Sequence, residues 1–135
     1  MKTASVFKLS HQGSCGKTAG KRDFKLILNA HLDVVPAGKE QFTPVERNGK
    51  LYARGAYDTK AAAAAMIVLF KEIGPKIDYP LGLQLTTDEE IGGMDGTYHQ
   101  LKQGVRGDFV IASECGSNFN IAHEAKARLV VKLIA

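Results

Sequence analysis

The sequence contains no tryptophan and only two cysteines, Cys15 and Cys115. A disulfide-stabilised scaffold needs more cysteines than this. It is also unnecessary here, because 135 residues of which 44% are hydrophobic can bury a core without covalent cross-links. We therefore predict one compact domain with reduced thiols, as is usual for a cytoplasmic protein.

Long apolar runs are missing as well. The longest run, Ala61 to Phe70, is far too short to cross a bilayer. The first ten residues contain no apolar segment of the kind that signal peptides require. The sequence thus predicts a soluble cytoplasmic protein without a membrane partner.

The sequence also lacks a dense cluster of basic residues. The net charge is only +4, and the main basic cluster consists of four residues, Lys17, Lys21, Arg22 and Lys25. A nucleic-acid footprint is denser than this and lies along one face. We therefore expect no nucleic-acid partner.

Strand and helix patterns alternate along the chain. The order strand, helix, strand, helix, strand predicts a layered α/β domain with a mainly parallel sheet. The predicted strands are Val6–Leu9, a buried Phe24–Ala30, Lys50–Ala53 after an Asn48-Gly49 turn, Leu81–Thr87, a buried Phe109–Ala112, and 128–135. The predicted helices are a mostly buried Lys60–Ile73, stopped by Gly74-Pro75, and Met94–Lys102.

Acidic residues and a histidine cluster where predicted strands end or a helix begins. Ligands of open α/β sheets bind beyond the carboxyl ends of the strands. Any single cluster could merely favour a helix N-terminus. Four at one edge would repel one another strongly, and bound divalent cations would offset that repulsion. The four clusters are His31-Leu32-Asp33, Asp58, Asp88-Glu89-Glu90 and Glu114.

The residue types in these clusters suit zinc. Imidazole nitrogen and carboxylate oxygen are both good zinc ligands. His31 and Asp33 are two apart on an extended chain and can point the same way, so the Asp33 carboxylate could accept a hydrogen bond from His31. The adjacent pair Glu89 and Glu90 suggests that one carboxylate binds metal while the other acts as general base.

Three segments resemble the metal motifs of the M20 peptidase/deacylase family in order and spacing. They are Asn29 to Pro36, Leu51 to Lys60 and Thr86 to Gly93. This family includes aminoacylases, acetylornithine deacetylase and succinyl-diaminopimelate desuccinylase. The resemblance implies a layered α/β/α zinc-exopeptidase-like catalytic domain that hydrolyses the amide bond of small N-acyl amino acids or peptides with a metal-activated water.

The resemblance also implies a ligand set for two zinc ions, with cobalt or manganese as alternatives. His31 would bind the first ion and Glu90 the second. Asp58 would bridge the two ions, and Glu114 would complete the first site.

Two further residues receive catalytic roles from the resemblance. Glu89 would be the general base, and Asp33 would orient His31. The peptide bond between Asp58 and Thr59 is expected to be cis, as is typical after the bridging aspartate of this family.

The sequence departs from the family pattern mainly in length, since family members are two to three times longer. We expect residues 1–122 to form a partial metal-binding catalytic domain and residues 123–135 to begin a truncated lid or dimerisation domain. His123 fits that lid better than a metal site, although it could replace the missing last ligand. Cys115 stands where the family has proline. The alternative function is a non-catalytic remnant with a partial metal site, and a second copy or a complementing chain is the expected partner.

Overall fold

The computed structural model describes residues 4–9, 15–17 and 23–114, and they form a five-stranded sheet with two helices. The strands of this sheet are β1 (Ala4–Leu9), β2 (Cys15–Lys17), β3 (Asp23–His31), β6 (Leu81–Thr86) and β7 (Arg106–Ala112). They lie in the order β2-β1-β6-β3-β7. β3 pairs in parallel with β6 and with β7, whereas β1 pairs antiparallel with β6 and with β2.

Helix α1 (Ala61–Ile73) covers one face of the sheet and matches the predicted helix closely. Its buried Phe70 packs in one cluster with Leu28, Leu81 and Leu83. Ile27, the neighbour of Leu28 in β3, faces the opposite side, since successive strand residues alternate in direction. There it packs against Phe24 and Val105. The central strand β3 therefore carries apolar contacts on both faces, and the predicted α/β fold is confirmed.

Two segments predicted to be buried are exposed in the described part of the chain. Along α1, Val68 and Leu69 expose 54% and 41% of their surface, and in β7 Phe109 and Val110 expose 66% and 56%. The physical reason is position, because β7 pairs only with β3 among the described strands and α1 packs on the sheet with one side. Apolar composition alone could not reveal this.

A separate two-stranded hairpin precedes α1. It consists of β4 (Val45–Arg47) and β5 (Lys50–Tyr52), paired antiparallel. Asn48 and Gly49 join the strands with φ angles of 53° and 68°. These left-handed conformations are those of a two-residue type I′ turn, so the Asn48-Gly49 turn prediction is confirmed.

The second helix, α2 (Thr97–Lys102), begins three residues later than predicted. Short 3-10 turns lie at Lys39–Phe42, Gly74–Lys76 and Glu89–Ile91. None of the helices in the described ranges has the length and apolar character needed to cross a bilayer. The predicted strand at 128–135, the predicted lid segment 123–135, and Cys115 and His123 lie outside the described residues.

Candidate metal centre

Parallel pairing places the carboxyl ends of β3, β6 and β7 at one edge of the sheet. His31 is the last residue of β3 and pairs with Thr86, the last residue of β6. Asn29 of β3 pairs with Ala112, where β7 ends. Glu89 and Glu90 therefore follow β6, and Glu114 follows β7, at the edge where His31 lies.

Asp58 reaches this edge from the turn between β5 and α1. The turn begins at Gly55, which has a φ of 81°. A Cβ at this position would overlap the Val34 side chain and lie 2.8 Å from Lys60 Nζ, so the close approach requires glycine. The Asp58–Thr59 peptide bond is cis, which confirms the sequence-based expectation. Buried Thr59 donates a hydrogen bond from its hydroxyl to the carbonyl of Ser113, 3.1 Å away, and thereby joins this turn to the end of β7.

His31 is the buried centre of the site, with 2% of its surface exposed. Its Nδ1 lies 3.1 Å from the backbone carbonyl oxygen of Asp33. Because a carbonyl oxygen only accepts, Nδ1 carries the hydrogen in this contact. Nε2 lies 3.1 Å from Asp58 Oδ1. The fold thus directs Nε2, the nitrogen that can bind a metal in the neutral ring, toward the acidic residues.

Carboxylate oxygens surround the His31 ring. An oxygen of Asp33 lies 3.4 Å from Nδ1, and oxygens of Asp58, Glu89 and Glu114 lie 3.1, 4.0 and 4.0 Å from Nε2. Among the described residues, ligand atoms of His31, Asp58 and Glu90 all lie within 4.8 Å of one another. One nitrogen and two carboxylate oxygens at this spacing fit a divalent cation.

The charge around His31 changes its acidity. Burial by itself lowers the pKa of the ring, because an imidazolium is poorly solvated inside a protein. The hydrogen bond to the Asp33 carbonyl and the negative charges of Glu114, Glu89 and Asp33 outweigh burial, so the pKa of His31 lies above the ordinary 6.5. The metal-free site therefore favours a proton where a cation would bind.

Asp33 connects two parts of the site. The sequence predicted that its carboxylate accepts a hydrogen bond from His31, but its backbone carbonyl has that role in the structure. The carboxylate lies at ion-pair distance from the ring, and its Oδ2 accepts a hydrogen bond from the backbone N–H of Glu90 at 3.0 Å. Asp33 thus fixes the loop after β6 relative to the end of β3.

Several residues that shape the site did not emerge from the sequence. Lys60 donates a hydrogen bond to the Leu32 carbonyl at 2.8 Å, and Ser113 donates from its hydroxyl to the Asn29 carbonyl at 3.1 Å. The sequence groups Asp88 with Glu89 and Glu90, but in the structure Asp88 is buried and its Oδ2 accepts hydrogen bonds from the backbone N–H groups of Asp95 and Gly96. Three consecutive acidic residues in a tight turn cannot all face one point, and this was the signal in the sequence for a separate role of Asp88.

Comparisons with known proteins agree with the resemblance of the three motifs. The family model described as Peptidase family M20/M25/M40 matches residues 27–129. The chain is 40% identical over 101 residues to a succinyl-diaminopimelate desuccinylase of Variovorax paradoxus (strain S110), which covers 67% of this chain and 26% of that protein. It is 36% identical over 115 residues to the Coxiella burnetii (strain Dugway 5J108-111) protein of the same name. That match covers 75% of this chain and 30% of the Coxiella protein.

A solved structure shares the fold. The crystal structure of human carnosine dipeptidase 1 superimposes with a TM-score of 0.56 at 21% sequence identity, over 82% of this chain and 25% of that one. The present chain therefore spans less than a third of the length of the relatives named here.

Proposed function

Because this chain belongs to peptidase family M20/M25/M40, we propose that it supplies the metal-binding and proton-transfer half of an amidohydrolase site. The observation that carries the proposal is the convergence of His31, Asp58 and Glu90, whose ligand atoms lie within 4.8 Å of one another. A role of these acidic residues in helix capping does not explain why carboxylates from three separate loops lie close to one buried histidine.

The donor set fits zinc, and cobalt or manganese use the same ligand types. His31, Asp58, Glu90 and Glu114 would hold two ions in the complete site. A divalent ion held there would polarise the acyl carbonyl of the substrate and would make a water molecule more acidic. Asp33 keeps the His31 ring and the Glu90 backbone in place for this purpose.

Glu89 is the proposed general base. It directly precedes the proposed ligand Glu90, its carboxylate lies 4.0 Å from His31 Nε2, and its side chain is 52% exposed. An exposed carboxylate beside the metal donors can take a proton from the attacking water and deliver it to the leaving amine. Glu90 and Glu89 thus divide binding and proton transfer between them.

The proposed substrates are small N-acyl amino acids or peptides. Two relatives are named for the removal of a succinyl group from an amino acid and one structural neighbour for the cleavage of a dipeptide, which supports amide hydrolysis. We also propose that a second copy or a complementing chain associates with this one and completes the site, which is supported by the exposed apolar strand β7 that pairs only with β3 among the described strands. A non-catalytic remnant that keeps a partial metal site is the alternative.

Replacement of Glu89 by glutamine tests this proposal. The chain is loaded with zinc and dialysed, and zinc content and hydrolysis of an N-succinyl amino acid are measured. We expect wild type to retain zinc and, with a second copy completing the site, to hydrolyse the substrate. Glu89→Gln should retain zinc but lose about 100-fold or more in rate, because the amide cannot accept the proton.

Glu72→Gln in α1 is the matched control and should behave like wild type, since Glu72 is exposed and belongs to another element. Loss of zinc from Glu89→Gln would refute the role of Glu89 as base. Zinc retention by wild type without hydrolysis would favour the remnant alternative, and absence of zinc would contradict both functions.

A further inference from the structure

Asp88 is the one buried carboxylate among the described residues, with 3% of its surface exposed. It directly precedes Glu89 and Glu90. Its Oδ2 accepts hydrogen bonds from the backbone N–H groups of Asp95 and Gly96, both at 2.8 Å. Two backbone hydrogen bonds to one buried oxygen thus tie the start of the loop to its end.

The backbone of the loop from 88 to 96 turns back so that its end lies against the Asp88 carboxylate. Gly92 and Gly93 have φ angles of 106° and 68° and reverse the chain after Glu90. The Gly93 N–H then donates to the Asp88 carbonyl at 2.8 Å. At Gly96 a Cβ would overlap Asp88 Oδ1, so the closure needs glycine at 96.

A second carboxylate holds the same loop from the other side. Asp33 Oδ2 accepts the backbone N–H of Glu90 at 3.0 Å. The Glu89-Glu90 pair therefore lies between one anchor on β3 and one within its own loop. Neither anchor uses the carboxylates of Glu89 and Glu90, which stay available to a metal and to substrate.

We propose that Asp88 is a positioning residue that sets the direction of the Glu89 and Glu90 carboxylates relative to His31 and Asp58. This inference rests on the proposed metal site. The hydrogen bonds of the Asp88 carboxylate go to the backbone of Asp95 and Gly96 and not to the proposed metal donors. Asp88 acts by fixing the backbone from which Glu89 and Glu90 project. Metal affinity is higher when the ligands are already held in place before the metal binds.

A purely structural role would give a different result. Asp88 also precedes the short helix α2, and a residue that merely stabilised this helix start would lower the free energy of unfolding without changing the metal site. Metal affinity and the absorption spectrum of bound cobalt separate the two roles, because the spectrum depends on ligand geometry and not on global stability.

The experiment is a titration of the apo chain with Co²⁺, followed by its visible absorption, for wild type and four variants. Asp88→Ala and Gly96→Ala both disturb the closure, one by removing the carboxylate and one by displacing it. Both should weaken cobalt binding about 10- to 100-fold and alter the spectrum. Asp88→Asn keeps an acceptor oxygen and should retain most of the cobalt affinity of wild type. Asp108→Asn, in an exposed pair with Lys25, is the charge-matched control and should resemble wild type.

Equal affinity and equal spectra in wild type, Asp88→Ala and Gly96→Ala would overturn the inference. An equal loss in Asp108→Asn would also overturn it, because the effect would then follow net charge. If circular dichroism shows Asp88→Ala unfolded, Gly96→Ala and Asp88→Asn decide by the same criteria. Wild type without cobalt binding would overturn the proposed function itself, which distinguishes that failure from a failure of the Asp88 role.

Discussion

At the scale of single residues, the two nitrogens of His31 have separate tasks. Nδ1 donates to the Asp33 carbonyl, and Nε2 faces Asp58, Glu89 and Glu114. A proton and a metal ion compete for Nε2, since both need its lone pair. The same carboxylates that make the site suitable for a cation also raise the pKa of the ring. Chelator-treated protein therefore offers a direct test of the arrangement.

The contribution of His31 to the stability of the metal-free chain should decrease as the pH rises. Its pKa in the folded chain is raised above 6.5, so protonation favours the folded state. This stabilisation is fully present below the unfolded-state pKa and is lost as the pH rises through the folded-state pKa. We expect the difference in free energy of unfolding between wild type and His31→Asn to shrink from about pH 5 to about pH 8.

Urea unfolding of the chelator-treated proteins measures this difference. His99→Asn is the matched control, because it makes the same replacement at a histidine that is exposed on α2. A difference that widens with rising pH would mean that the folded chain prefers the neutral ring.

The sequence predicted that the acidic clusters and His31 meet at one edge of the sheet, but it did not predict their individual contacts. The clusters at His31, Asp58, Glu89-Glu90 and Glu114 stood out because strand ends of a parallel sheet share one edge. The partner of Asp88 could not be found in this way, because it lies beyond a glycine turn whose path the sequence does not specify. The backbone carbonyl of Asp33 was missed for a similar reason, since side-chain chemistry says nothing about main-chain orientation.

At the scale of elements, the turn from Gly55 to Lys60 determines where Asp58 lies. Its left-handed start and the tight packing of Gly55 against Val34 and Lys60 leave no room for a side chain. The helix that follows, α1, then fixes the far end of the turn against the sheet. The position of Asp58 thus depends on packing at a residue three positions earlier.

Gly55→Ala should be more destabilising than Gly49→Ala. Both glycines have positive φ, which costs an alanine about 1–2 kcal/mol. A Cβ at Gly49 meets nothing within 4 Å, so that variant should show the conformational cost alone. Gly55→Ala adds overlap with Val34. Denaturant unfolding measures both variants, and equal losses would show that packing at Gly55 adds nothing to the conformational cost.

Element boundaries followed the sequence where short-range chemistry decides them. Gly74-Pro75 ends α1, and Asn48-Gly49 sets the hairpin. The burial of β7 and α1 could not be predicted in this way. Both have an apolar composition, but few other elements of the described chain cover them. The antiparallel addition of β1 to β6 was equally inaccessible, since the local pattern of a strand does not encode its partner.

At the scale of the whole molecule, apolar surface remains exposed on β7 and α1. Phe109, Val110 and Ile111 expose 66%, 56% and 48% of their surface. No described strand pairs with the outer edge of β7. Strands with these properties pair with other chains unless a charge or a covering element prevents it. This supports the expectation of a second copy or a complementing chain.

Val110→Lys should reduce self-association of the chain. A lysine on an edge strand opposes pairing with another strand, and the net charge of +4 adds repulsion. Sedimentation velocity over a range of concentrations measures the associated fraction. Leu101→Lys is the matched control, since it places the same charge on an exposed apolar residue of α2. Equal effects of the two variants, or a monomeric wild type throughout, would contradict the assignment of β7 as the associating surface.

The position of β3 in the sheet has a consequence for synthesis. β3 ends at His31, whereas its neighbours begin only at Leu81 and Arg106. The ribosome therefore releases the central strand long before either partner exists, and the pairing must close long loops, which slows folding. The four proposed metal donors emerge in the order His31, Asp58, Glu90 and Glu114, the last after β7. A nascent chain thus presents its full set of proposed donors only after the final described strand has left the ribosome, whereas His31, Asp58 and Glu90 are synthesised before that strand.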